Sequence, residues 1–159
     1  MTNRKAYDEL SQDNKEKLVC ALFAAKYPGL SSDCGVNVDA AAYSLRAACV
    51  LIAEEEDELV KKIIVLLEEH NDFIESLASE ILTQYVSDLN KSDEFDEDRD
   101  ELVLITGRKW ESSSFSDEGK KVLTVLDVDS LLAGIEKHSS KDTKQAKHLR
   151  NLAKTFNII

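Results

Sequence analysis

The sequence predicts a mainly α fold: a helical bundle with long helices over residues 1–90, an acidic connector over residues 91–101, and a smaller C-terminal helical segment that can hold a β-hairpin. Three observations carry that expectation. Ala, Leu, Glu and Lys are plentiful, whereas the 159 residues include one Pro and five Gly, so little interrupts a helix. No Gly or Pro stands between Val36 and Asn90. Within that run Leu45, Ile52, Leu59, Leu66 and Phe73 recur every seven residues, with Ile63 and Leu77 between them, a spacing suited to long helices packed at a shallow angle.

The elements follow in order. Ser11 is placed to cap a helix carrying Leu18, Ala21, Leu22 and Ala25 at helical spacing, and Pro28-Gly29 ends it. GLSSDCGVN reads as a loop by composition, after which Asn37 can cap a helix from Val38 through AAAYSLRAACVLIAEEE. Asp72 followed by Glu75 resembles a capping box, which breaks the run near His70 and starts a helix over about Phe73–Leu89. KSDEFDEDRDE, residues 91–101, is nearly devoid of apolar side chains and reads as a solvated linker or loop. Leu102–Thr106 (LVLIT) before Gly107 suits a short strand. Beyond Ser116 a helix competes with a strand over KVLTV, the strand giving a hairpin joined by SSSFSDEG. Asp129 or Ser130 starts a short helix through Ile135, and Ser140 starts the last, which turns Leu149, Leu152, Ala153 and Phe156 inward. The chain is long enough to bury a core as one domain or as two small ones.

The net charge of −11 is unevenly spread. Residues 1–90 carry −9 and residues 91–101 carry −5, while residues 102–159 carry +3. Such a body repels phosphate backbones and suits a basic protein partner. The tail is different: Lys144 and Lys147 with Lys154 form a basic face opposite Leu149, Leu152 and Phe156. That helix packs on the core or binds an acidic partner, a membrane surface or nucleic acid.

Cys20, Cys34 and Cys49 lack CxxC spacing, and two of them sit in apolar runs, so they read as reduced structural thiols. The start MTNRKAYDELSQ has no hydrophobic signal core and no apolar run approaches a membrane span. A reducing compartment, cytoplasmic or nuclear, is the expectation.

The stretch AEEEDELVKKIIVLLEEHND sets two carboxylate clusters around an apolar run. Glu54, Glu55 and Glu58 fit EExxE, and Glu69 with Asp72 fits ExxD. That pairing resembles the metal-binding pattern of MazG-like nucleotide pyrophosphohydrolases, which are all-α enzymes. The resemblance covers about twenty residues and implies Glu55, Glu58, Glu69 and Asp72 as Mg²⁺ ligands, with a bound water attacking a nucleoside triphosphate. Read as one helix, the run keeps the two pairs on nearly one face but about 21 Å apart, so one chain cannot close the site. The carboxylates then read as solvated helix faces, with Lys61 and Lys62 as i,i+4 partners of Asp57 and Glu58.

Other chemistry finds no pattern. The three His lie in no metal motif, and GxSxG, GxxxxGK[ST] and GxGxxG are all missing. No cofactor is implied. Trp110, beside Arg108 and Lys109, suits either the core of the second segment or an interface anchor. The sequence therefore points to a non-enzymatic adaptor or inhibitor that presents Glu54, Glu55, Glu58, Asp93, Glu94, Asp96 and Glu97 to a basic partner, in its sharpest form mimicking nucleic-acid charge. The pyrophosphohydrolase and a self-pairing helical subunit are the alternatives.

Overall fold

The computed structural model describes residues 2–68, 84–93, 95–107 and 123–159, and the chain is an α/β protein rather than a helical bundle. Helices α1 (Arg4–Asp8) and α2 (Gln12–Lys26) lead into strands β1 (Ser31–Asp39), β2 (Ser44–Glu55) and β3 (Glu58–Glu68). Strands β4 (Glu101–Thr106) and β5 (Leu123–Asp127) come next, then helices α3 (Val128–Ser139) and α4 (Lys144–Thr155). A helical segment, residues 84–91, lies between β3 and β4.

The five strands form one sheet in chain order. β1, β2 and β3 make an antiparallel meander, whereas β4 runs parallel to β3 and β5 parallel to β4. The LVLIT strand is therefore real, but β5 lies alongside it in parallel, so no hairpin joins the two.

The long run expected to be helical, Val38 through Glu68, is mostly strand, and the reason is burial. Leu51, Ile63, Val65, Val103 and Ile105 pack against Leu18, Phe23, Leu131, Ile135 and Leu149 of the helices. Ile64, Leu66, Leu102 and Leu104 face the other way, onto Val86, Leu89 and Phe95. With both faces covered, the central strands read as continuous apolar runs, and the period-two signal disappears. The seven-residue recurrence is divided between β2 and β3 and makes no helical seam. Phe73, Leu77 and the Asp72 capping box lie outside the described residues.

The helix ends are set by local chemistry. The Ser11 hydroxyl accepts from the Asn14 N–H, and α2 stops just before Pro28. Asp127 caps α3 through the Ser130 N–H, and Thr143, three residues after Ser140, caps α4 through the Ala146 N–H. Among the described residues no helix is long and apolar enough to cross a membrane.

The cysteines correct their reading. GLSSDCGVN forms most of β1 instead of a loop, and a disulfide joins Cys20 of α2 to Cys34 of β1, with Cα atoms 5.7 Å apart. Cys49 is free and buried. Gly35 next to Cys34 has φ +55°, a conformation that favours glycine. Across from it the alternation of β2 breaks, so that Ala48 and Cys49 both face the helical layer.

Candidate interaction surface

The carboxylates of residues 54–58 do not lie on a helix. β2 and β3 are joined by a tight hairpin in which Glu55 pairs with Glu58. The two turn residues, Glu56 and Asp57, have φ of 52° and 67°. Positive φ at both positions is the type I′ arrangement, which matches strand twist and normally takes Asn-Gly. Here the turn is built from two acids, flanked by acids on both sides. All five side chains are exposed, and among the described residues none is in an ion pair. One register step on, β3 bulges: Glu54 pairs with Leu59 and Ala53 with Lys61, leaving Val60 unmatched. Leu59 and Val60 are 36% and 43% exposed, and with Glu55, Glu56 and Glu58 they line a shallow depression of about 570 Å³.

The second acidic stretch leads into β4. β4 begins at Glu101, which pairs with Ile63 of β3, so Asp100 lies beside Lys62 of β3. Asp100 makes that connection. Its buried carboxylate accepts from the Lys62 N–H at 2.8 Å and the Asp96 N–H at 3.0 Å. Arg99 donates to both of its oxygens, at 2.9 and 3.0 Å. Burial alone would raise the Asp100 pKa, but the Arg99 and backbone hydrogen bonds outweigh it and hold the group below its ordinary value. With Phe95 also buried, this turn is anchored while Asp96, Glu97 and Asp98 remain exposed. Asn90, Asp93, Phe95, Asp96 and Arg99 are among the residues lining a second depression of about 450 Å³.

Two further polar clusters are structural in character. Tyr43 donates to Asp88 at 2.6 Å, and Gln84 donates to the other oxygen at 2.8 Å. Desolvation and the Asp88 bond push the Tyr43 phenol up to about 12, the wrong direction for a nucleophile or base. Glu16, buried on α2, takes two hydrogen bonds from Arg46 of β2 at 3.0 and 3.2 Å beside Gly35.

The sequence-predicted residues divide as follows. Glu54, Glu55 and Glu58 gather at the β2–β3 tip, whereas Asp93, Asp96 and Glu97 line the separate second depression; Ser92, next to Asp93, donates to the Asp39 carbonyl at the opposite end of the β1–β2 pair, so the two acidic groups are not brought together. Glu94, Trp110, Glu69 and Asp72 lie outside the described residues. Lys144 and Lys147 are on α4 in the helical layer, where Lys147 approaches Asp142 at 3.8 Å. Lys61 pairs with Glu101 at 3.1 Å, and not with Asp57. Glu55 and Glu58 face each other across two strands, so the helical EExxE geometry implied by the MazG-like resemblance does not form. Among the described residues no group of three or more His, Cys, Asp or Glu side chains could hold a metal ion. Asp100 and the exposed Leu59–Val60 pair were missed. The signal for the hairpin was the β-branched density on either side of EEED, unaccompanied by a glycine.

No family and no curated protein matches this sequence. Among solved structures, the crystal structure of AF1548, a protein of unknown function, is 12% identical, with 92% of this chain and 99% of that chain covered at a TM-score of 0.49. A similarity of that degree carries no information on function.

Proposed function

We propose that the protein is a non-catalytic interaction module, an adaptor or inhibitor, whose acidic sheet end receives a basic protein partner. One observation carries the reading: a hairpin turn that calls for Asn-Gly is made of Glu56-Asp57 between further acids. Left-handed backbone disfavours a side chain bearing Cβ, and adjacent like charges repel, so this sequence is poor for the turn on both counts. Residues that break local consistency are expected where function requires them. The five adjacent acids of the tip form a concentrated negative field, with Leu59 and Val60 as an apolar contact beside it. Such a field accelerates encounter with a cationic surface and selects against anionic ones. In its sharper form the module occupies the surface on which a protein would hold nucleic acid.

The test is affinity capture from the host extract with the full chain. The captured protein is then titrated against the native chain and against a variant with Glu55, Glu56, Asp57 and Glu58 changed to Ser. A basic partner whose affinity falls at least about tenfold in the variant, and falls with added salt, supports the reading. Affinity indifferent to both changes refutes it.

A further inference from the structure

We propose that Cys34 is a thiol–disulfide exchange centre with two alternative partners, Cys20 and Cys49, so that a single covalent bond ties β1 either to helix α2 or to strand β2. In the structure it is bonded to Cys20. Cys49 stands directly across from Cys34 in the β1–β2 register. Directly opposed residues of an antiparallel pair have Cα atoms about 4.5–5.5 Å apart, within the span a disulfide bridges. Facing matters equally, and here the irregularity at Gly35 decides it. Ala48 and Cys49 both turn toward the helices, which is also the side on which Cys34 meets Cys20. The three sulfurs therefore share one face of the sheet edge.

The exchange balances without any co-reactant. The Cys49 thiol gives up its proton, and its thiolate attacks Cys34 Sγ. The Cys34–Cys49 bond forms as the Cys20–Cys34 bond breaks, and the electron pair leaves on the Cys20 sulfur, which takes a proton. The number of disulfides and of thiols is unchanged. What holds the reaction back is burial: Cys49 is fully enclosed, and desolvation, with Asp33 adding, raises its thiol to about 12. Cys34 is exposed, and among the described residues its strand β1 is an edge strand paired with β2 alone. Local opening of that edge is the step that admits the attack. After exchange α2 carries a free thiol at Cys20, and β1 has lost its covalent tie to the helical layer.

The experiment uses the oxidised full chain. It is held in sub-denaturing urea, quenched with N-ethylmaleimide, and mapped by non-reducing peptide mass spectrometry. The expected result is a transfer of label from Cys49 to Cys20, matched by replacement of the Cys20–Cys34 peptide with a Cys34–Cys49 peptide. Label confined to Cys49 after the edge has opened, as reported by amide exchange across β1, overturns the proposal. As a second arm, Cys20→Ser is treated with oxidised glutathione under conditions that close Cys20–Cys34 in the reduced native chain. Formation of Cys34–Cys49 supports the proposal, and two thiols still free in a variant with native circular dichroism count against it.

Discussion

Replacing Glu56 by Asn and Asp57 by Gly puts the residues favoured by a type I′ turn into the β2–β3 hairpin. Both native residues have positive φ, 52° and 67°. An L-residue held there loses about 1–2 kcal/mol relative to one that tolerates it, less for Asp than for Glu. Asn recovers part of that at the first position, and Gly recovers most of it at the second. Removing two charges from the acidic run adds a few tenths of a kcal/mol at low salt. The double substitution is therefore expected to stabilise the protein by about 1.5 kcal/mol, or roughly 3–6 °C in Tm for a chain of this size. Urea unfolding followed by circular dichroism measures it, with an unchanged m-value as the sign that the denatured state is unaltered. Glu56→Gln, which removes a charge and keeps Cβ, separates the terms: it should give only the small part, and that part should vanish in high salt. A double variant no more stable than the parent would refute the reading of a strained carboxylate turn. Greater stability joined to weaker partner binding would tie the strain to function.

Three other outcomes follow from named contacts. The Cys20–Cys34 bond spans a sequence separation of 14, and closing a loop of that size stabilises the fold by about 3 kcal/mol; Cys34→Ser and dithiothreitol should each lower the unfolding free energy of the oxidised protein by that amount, and equal denaturation midpoints with and without reductant would contradict it. Asp100→Ala leaves the Lys62 and Asp96 N–H groups and Arg99 without their acceptor, so a loss of about 3 kcal/mol is expected by chemical denaturation, and a loss below about 1 kcal/mol would show the turn to be unanchored. His138 is buried with Nδ1 unpartnered, and desolvation, then Lys141, Lys137 and Lys26, holds its pKa below the ordinary 6.5. The unfolded chain then takes up the proton first, so stability is flat above 6.5 and falls as pH drops below it, down to the folded-state value. A His138→Gln chain should lack that component, and superimposable pH–stability curves would refute it.

The sequence made α2 legible because its signals are local: a serine cap, helical apolar spacing and a Pro-Gly stop. The same holds for α3 and α4, where short polar caps and one-sided apolar patterns agree. The meander was illegible because its identity rests on what covers it. AACVLIA and KKIIVLL are buried on both faces, and a doubly covered strand has the same apolar continuity as a buried helix. Composition then tipped the reading toward helix, and the absence of Gly at the β2–β3 turn removed the one mark that would have divided the run. Of the surface, the two acidic stretches were visible as charge, but the turn that carries the first and the Asp100 anchor that holds the second were not. The anchor depends on β4 lying parallel to β3 from Ile63 onward, a long-range pairing. The Cys20–Cys34 bond was hidden for a related reason, since assigning GLSSDCGVN to a loop detached Cys34 from α2.

The sheet's spatial order repeats its chain order, and this has a consequence for synthesis. Each strand emerges next to the one already in place, so the antiparallel half can assemble from contacts close in sequence. β4 arrives only after more than thirty further residues, as the chain from Glu68 to Glu101 is made. Among the described strands the growing edge in that interval is β3, whose IIVLL core is the kind of apolar segment that recruits strands from other chains. Carboxylates bracket it, with residues 54–58 on one side and Glu68 on the other. Flanking charge of this sort discourages strand-to-strand stacking between nascent chains. By that argument the acidity of the hairpin acts on the half-made sheet, before the finished surface exists.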